Sequence, residues 1–271
     1  MIGSIIGDTV GSIYEFNNIK TKDFDIFQPR MSYTDDSILT VATAEWLLEG
    51  GEVAQYYYDY AISNSCPMGG FGGMFVRWIL KSRACGLQPA YGSCGNGSAM
   101  RVSPVGWACD SEAEVLRVAA QSAACTHNHP EGIKGAQATA LAIFLARKGV
   151  APQEIAQRIT ADFGYDLSMS VDEIRPRYSW EGLDDGAAGS GATCQGTVPQ
   201  ALVCALTSTS FEDAIRNAVS IGGDSDTLGA ITGGVAQAMH GVPQDLRAKV
   251  WNLLPQHYKD VITRFEQRYG C

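Results

Sequence analysis

Three observations predict an all-α protein. Apolar residues recur at helical spacing along most of the chain, and these runs are bounded by capping residues, prolines and glycines. No run alternates as a half-buried strand would. The segmentation gives roughly a dozen helices, and no linker divides them. A single compact domain over residues 1–271 is therefore expected.

Residues 2–16 read as the first helix. Gly3, Gly7 and Gly11 repeat there at a spacing of four, although each glycine costs a helix about 1 kcal/mol against alanine. Such a stripe has a reason where a second backbone packs closely on that face. Asp8 and Glu15 lie seven apart, two helical turns, and so on one side. Residues 35–48 are apolar nearly all round and stop at Gly50-Gly51, which describes a buried helix with a glycine terminator.

A tyrosine-rich helix over 53–62 and another over 74–83 follow, the second preceded by Gly69-Gly70-Phe71-Gly72-Gly73. Ser111 and Glu114 have the spacing of a capping box and open a helix to about residue 124. Pro130 and Pro152 suit the first positions of the next two helices. From Gly164 to Gly191 the periodicity fades, and a long surface loop with one short element is expected, its glycines over 182–191 unplaced. Helices resume at 198–207, 211–220 and 224–239, the last stopping at Gly241-Val242-Pro243. Two more, over 244–254 and 257–269, close the chain.

Net charge is −9 with 20 Lys and Arg in no cluster, which argues against nucleic-acid binding through a basic patch. The longest clean apolar run, about 140–146, is far short of the roughly 20 residues a membrane span needs. The start Met-Ile-Gly-Ser-Ile-Ile-Gly-Asp has no basic segment, so no signal peptide is expected and the compartment expected is the cytoplasm. The eight cysteines form no C-x-x-C pair and are expected as reduced, mostly buried thiols. A monomer is expected.

Two acidic clusters open apolar helices, Thr34-Asp35-Asp36-Ser37 and Gly222-Gly223-Asp224-Ser225-Asp226-Thr227. An acid in the first turn of a helix is favoured by the macrodipole, by about 0.3–1 kcal/mol. That accounts for one acid per helix but not for two with a flanking threonine at both places. Close carboxylates repel unless a cation or a shared proton holds them. Hard oxygen donors from two distant helix starts suit a divalent cation, and the number of donors suits two ions about 3.5–4 Å apart. An EF-hand is excluded, because the twelfth position from Asp224 is Val235.

Other segments are open to a plain reading. Glu15 is either an exposed acid at a helix end or a general acid/base near the metals. The glycines at 69–73 are either a flexible turn or a loop whose N–H groups face a diphosphate; no Lys-Ser/Thr follows, so it is not a Walker loop. The stretch from Gly92 to Arg101 is turn-rich, and Arg101 reads first as a structural ion-pair partner. Of Thr126-His127-Asn128-His129-Pro130, one imidazole lining a pocket fits better than metal ligation by both. No Gly-x-Ser-x-Gly, His-Glu-x-x-His or Gly-x-Gly-x-x-Gly string is present.

Five strings in order, Gly7-Asp8…Gly11…Glu15, Thr34-Asp35-Asp36-Ser37, Gly95-Asn96-Gly97-Ser98-Ala99-Met100-Arg101, Thr126-His127 and Gly222 to Thr227, resemble the ADP-ribosylglycohydrolase family. That family includes dinitrogenase-reductase-activating glycohydrolases and ADP-ribosylserine hydrolases. The resemblance implies an all-α fold around a binuclear Mg²⁺ or Mn²⁺ cleft, with Thr34, Asp35, Asp36, Asp224, Asp226 and Thr227 as ligands. It implies Glu15 as an acid/base and gate, with metal-bound Asp36 as the other catalytic carboxylate. It also implies a diphosphate loop at Gly70, Phe71 and Gly72, and Ser93, Asn96 and His127 against ADP-ribose.

Two departures stand out. Cys94 occupies the place of an adenine-stacking aromatic, which passes that task to Phe71 or Tyr91. Ser225 replaces a commoner threonine. The implied reaction is metal-dependent hydrolysis of the bond between ADP-ribose and an acceptor on a modified protein. The alternatives are a small O-acyl ADP-ribose conjugate as substrate, or a non-catalytic, crystallin-like ADP-ribose binder.

Overall fold

The computed structural model describes residues 1–184 and 189–270. Among these, the helices in chain order are α1 (Ile2–Gly11), α2 (Asp35–Glu49), α3 (Val53–Ser63), α4 (Gly73–Cys85), α5 (Gly97–Met100), α6 (Ser103–Ala108), α7 (Glu112–Ala124), α8 (Pro130–Arg147), α9 (Pro152–Phe163) and α10 (Val171–Ile174). A ribbon of two short antiparallel strands, β1 (Tyr178–Ser179) and β2 (Gly182–Leu183), pairs Tyr178 with Leu183 and Ser179 with Gly182. Then come α11 (Cys194–Leu206), α12 (Phe211–Ser220), α13 (Ser225–His240), α14 (Gln244–Leu253) and α15 (Gln256–Tyr269). The protein is all-α, as its periodicity predicts.

One helix pair sets the architecture. Every residue of α1 is buried, and α13 is buried from Ser225 to Gln237. A Cβ added to Gly7 would lie 1.8 Å from the Gly229 carbonyl oxygen, and one on Gly3 2.4 Å from that of Gly233. Gly229 and Gly233 reciprocate, at 2.3 and 2.1 Å from the Gly7 and Gly3 oxygens. The two backbones therefore touch along a glycine seam, and packing offsets the loss of helix propensity. Gly11 faces Ser225 at the same seam, so the helices run antiparallel. The C-terminal end of α1 thus meets the N-terminal end of α13.

Several boundaries depart from the sequence reading. The first helix ends at Gly11 rather than residue 16. The Ser12 hydroxyl donates to Thr9 O, and Asn18 Nδ2 takes the Tyr14 and Glu15 carbonyls, so side chains compete for the groups a continuing helix needs. Helix α11 begins at Cys194, four residues earlier than expected, and carries Pro199 inside it. Residues Gly97–Met100 form a short helix where turns were expected, and Ser103–Ala108 form another in a stretch for which no element was expected.

The supposed loop after Gly164 contains both α10 and the ribbon. Helix α10 is opened by a full capping box between Ser170 and Glu173, a signal missed because the helix has a single turn. Within the glycines at 182–191, residues 185–188 lie outside the described residues. At Ser111 only half of the box forms, since Glu114 Oε2 accepts from Asp110 N instead. Pro130 and Pro152 do occupy the first turns of α8 and α9.

The cysteines correct another expectation. Of those described, Cys109, Cys194 and Cys204 are buried, Cys94 and Cys125 are half-buried, and Cys66 and Cys85 are exposed; all are free thiols. Cys271 lies outside the described residues. Among the described residues, no helix is long and apolar enough to cross a membrane.

Candidate active site

The first half of the site is built on Thr34. As the N-cap of α2, its hydroxyl accepts from Asp36 N at 3.3 Å, while its own proton goes to Asp8 Oδ1 at 2.7 Å. Asp8 Oδ2 accepts from Thr34 N at 3.0 Å and Ser37 N at 3.1 Å, and from the Ser37 hydroxyl. One fully buried carboxylate on α1 therefore ties down the whole turn that carries Asp35 and Asp36.

The second half is the start of α13. Gly222 and Gly223 have φ of +74° and +72°, a left-handed pair that swings the chain into Asp224. A Cβ on Gly223 would meet the Tyr178 ring at 2.6 Å, so only glycine fits. Lys20 Nζ holds this bend by donating to the carbonyls of Tyr178 and Ile221. Asn96 Nδ2 donates to Asp224 Oδ2 at 2.7 Å, and Thr227 N to Asp226 Oδ1 at 3.0 Å.

Glu15 joins these halves. The Asn18 amide donates to Glu15 O at 3.0 Å and to Gly223 O at 2.8 Å, and accepts from Gly223 N at 2.8 Å. Trp180 Nε1 adds a hydrogen bond to Glu15 O at 3.0 Å. Carboxylate oxygens of Glu15, Asp224 and Asp226 lie within 4.8 Å of one another. On the far side Gly69, at φ +77°, abuts Glu15 so closely that a Cβ would sit 2.6 Å from Oε2.

Burial, then the charge of Asp224 and Asp8, pushes Glu15 up to about 8. Burial raises Asp8 to about 6, its four hydrogen bonds restraining the shift. Asp35, Asp36 and Asp226 are held well above the usual carboxylate range, first by burial and then by one another and Asp224, Asp8 or Glu15. Glu15 Oε2 and Asp36 Oδ1 are buried with no hydrogen-bond partner. Crowded, desolvated carboxylates with oxygens to spare fit a hard divalent cation, which removes both penalties.

These groups line a cleft of about 450 Å³, within the roughly 300–1,000 Å³ of small-molecule sites. Every expected site residue lines it except Thr34, which lies fully buried beneath. The segment Gly69–Gly73 forms one rim, held near α2 by a bridge between Thr34 and Met68. Gly70 and Gly72 present open faces. Ser93, Asn96 and His127 sit on the wall, where Gly95 pairs with Thr193 and Asn96 N bonds Ala192 O at 3.1 Å. His127 Nδ1 pairs with the Thr126 hydroxyl at 2.8 Å, and burial, then Arg101, holds the imidazole well below 6.5.

Arg101 makes no ion pair among the described residues, contrary to expectation, and it borders the cleft. It is 1% exposed, donates to Ser122 O and the Thr126 hydroxyl, and stacks 3.9 Å from the Tyr57 ring centroid. Phe71 and Tyr91 both line the cleft and Cys94 does not. The sequence reading missed Asn18, Lys20 and Trp180, whose work is done through backbone groups distant in sequence. It also missed Phe16, which stacks on Trp180 at the cleft mouth with ring centroids 5.9 Å apart. The one available signal was the glycine repeat of α13 at Gly229 and Gly233, complementary in spacing to that of α1.

A family model described as ADP-ribosylglycohydrolase matches residues 1–270. The mouse protein ADP-ribosylhydrolase ARH3 is 27% identical, over 90% of this chain and 83% of its own length. Its human counterpart is 28% identical, over 90% and 85%. An uncharacterized protein of Archaeoglobus fulgidus is 30% identical over 76% of this chain and 71% of that one. In fold, the chain matches a solved structure titled "ADP-ribosylglycohydrolase-related protein complex" with TM-score 0.71 at 22% identity, covering 99% of this chain and 95% of that one.

Proposed function

The chain belongs to the ADP-ribosylglycohydrolase family and is a glycohydrolase, and we propose that it releases ADP-ribose from a modified protein side chain, reversing the modification. The observation that carries this reading is the convergence of Glu15, Asp224 and Asp226 on one cleft with the Thr34–Asp36 turn. Thr34, Asp35, Asp36, Asp224, Asp226 and Thr227 would hold two Mg²⁺ or Mn²⁺ ions. Bound there, the ions would anchor ribose hydroxyls and stabilise developing charge.

The chain's own groups supply the rest. Glu15, buried in the cleft beside Asp224 and Asp226, suits proton donation to the leaving acceptor atom, with Asp36 as the second carboxylate that orients water. The transition state at the anomeric carbon is oxocarbenium-like, and the surrounding carboxylates favour that positive charge. Backbone N–H groups at Gly70, Phe71 and Gly72 would cradle the diphosphate. Ser93 and His127 would contact the ribose or phosphate groups from the wall, and Phe71 or Tyr91 would stack on adenine. Asn96 contributes by fixing Asp224.

The test is a panel of arginine-linked, serine-linked and acyl-linked ADP-ribose conjugates, with Mg²⁺, with Mn²⁺ and in chelator. Release of ADP-ribose from a modified protein or peptide, lost in chelator, is expected. Turnover of the acyl conjugate alone would place the substrate among small molecules. Binding without any turnover would make the protein an ADP-ribose binder, and full activity in chelator would sink the metal assignment.

A further inference from the structure

Helix α4 departs from the rest of this acidic chain. It carries Arg77, Lys81 and Arg83 and no acid, although the chain has 29 Asp and Glu. All three cations are exposed, and none pairs with an acid among the described residues. Elsewhere among the described residues Lys22, Lys134, Arg158, Arg216, Arg247 and Arg264 each find a carboxylate, while Arg117, Lys148 and Lys259 do not; α4 is distinguished by carrying three such cations with no acid of its own. The same face exposes Met74, Val76 and Leu80, at 43%, 36% and 60%.

Helical spacing aligns these residues in two adjacent rows. Met74, Arg77 and Lys81 lie at i, i+3 and i+7; Val76, Leu80 and Arg83 lie at i, i+4 and i+7. A solvated helix face does not need three apolar side chains between its charges, and an apolar patch rimmed by polar groups marks an interaction surface. The helix is anchored through its other side, where Phe75, Trp78 and Ser82 are buried and Ile79 packs against the core. Its first turn is continuous with the cleft, which Gly73, Met74 and Phe75 line.

We propose that the exposed face of α4 is the docking surface for an acidic, apolar-containing polypeptide segment flanking the ADP-ribosylated residue. This rests on the protein-substrate reading above. The described carboxylates of the cleft, Glu15, Asp35, Asp36, Asp224 and Asp226, stand inside it, whereas α4 places Arg77, Lys81 and Arg83 beside its rim, and this charge complementarity sets the direction in which the substrate chain leaves. A nucleic acid fits less well. Three cations neutralise few phosphates, and the exposed apolar side chains Met74, Val76 and Leu80 offer no aromatic ring for bases to stack on.

The test uses two ADP-ribosylated peptides with one modified residue in common, one with acidic-apolar flanks and one with basic flanks, beside a small ADP-ribose conjugate and a modified oligonucleotide. Wild type should favour the acidic peptide about tenfold in kcat/KM at low salt, and the preference should fade at 1 M salt, where screening acts within about 3 Å. Arg77→Glu with Lys81→Glu and Arg83→Glu should abolish or invert the preference while leaving turnover of the small conjugate unchanged. Fluorescence anisotropy of the labelled acidic peptide reads docking directly, whether or not the bond is cleaved. Equal binding of both peptides, a preference that survives the triple reversal, or tighter α4-dependent binding of the oligonucleotide would overturn the proposal. Acidic-peptide binding that is lost in the triple variant, without turnover of any conjugate, would uphold docking and sink the hydrolase reading.

Discussion

Thr34 gives both its main-chain N–H and its hydroxyl proton to Asp8, at 3.0 and 2.7 Å. The lone pairs of the Thr34 hydroxyl are thereby turned away from Asp8, and one accepts from Asp36 N at 3.3 Å. Orientation of a ligand by a partner behind it is typically worth about 10–100-fold in metal affinity. Asp8→Asn should therefore weaken Mn²⁺ binding by about that factor in titration calorimetry while the far-ultraviolet spectrum is kept. Removing the charge alone would give an effect additive with Thr34→Val; a double-mutant cycle should instead be clearly non-additive.

Asn18 holds Glu15 and Gly223 with a single side-chain amide. Asn18→Ala frees the acid/base from the strand of chain leading to Asp224. Because displacement by about 1 Å can cost about 100-fold in rate, kcat should fall by about that much with KM nearly constant. A rise in KM with kcat unchanged would assign Asn18 to substrate binding instead.

The pH dependence of the metal-free protein has a definite sign. Asp8 and Glu15 hold protons in the folded state that the unfolded chain releases above 3.8 and 4.5. Their contribution is full below those values and is lost as pH rises through about 6 and about 8. In chelator the thermal midpoint should drop between pH 5 and pH 8, by about 2–4 °C for each kcal/mol lost. Mg²⁺ should flatten the curve, since a cation replaces the protons; an unchanged midpoint across this range would contradict the desolvated cluster.

The glycine seam predicts a contrast between two substitutions. Gly7→Ala puts a Cβ 1.8 Å from the Gly229 oxygen and must part α1 from α13, costing about 3 kcal/mol or more in urea unfolding. Gly72→Ala meets nothing within 4 Å and has φ of −53°, so stability should change by less than about 1 kcal/mol. Comparable losses in the two variants would mean that the seam is not what orders the fold.

Much of this protein was legible in its sequence because helix formation is local. Periodicity, prolines at Pro130 and Pro152 and the stop at Gly50 act within a turn or two, so an all-α fold could be read without knowing what packs on what. The paired acids of Asp35-Asp36 and Asp224-Ser225-Asp226 likewise state their chemistry at short range, since neighbouring carboxylates demand a counter-charge wherever the chain puts them. The sequence could not show where the first helix ends, because that depends on Asn18 and Trp180 capturing carbonyls near Glu15. Nor could it show that cations spaced along α4 are exposed and pair with no acid among the described residues. The antiparallel register of Gly3, Gly7 and Gly11 on Gly233, Gly229 and Ser225 was decided only in three dimensions. That register brings Glu15, near one end of the chain, within carboxylate distance of Asp224 and Asp226 near the other. Close contact between two backbones depends on the shape of both helices at once, and no local signal in either one carries it.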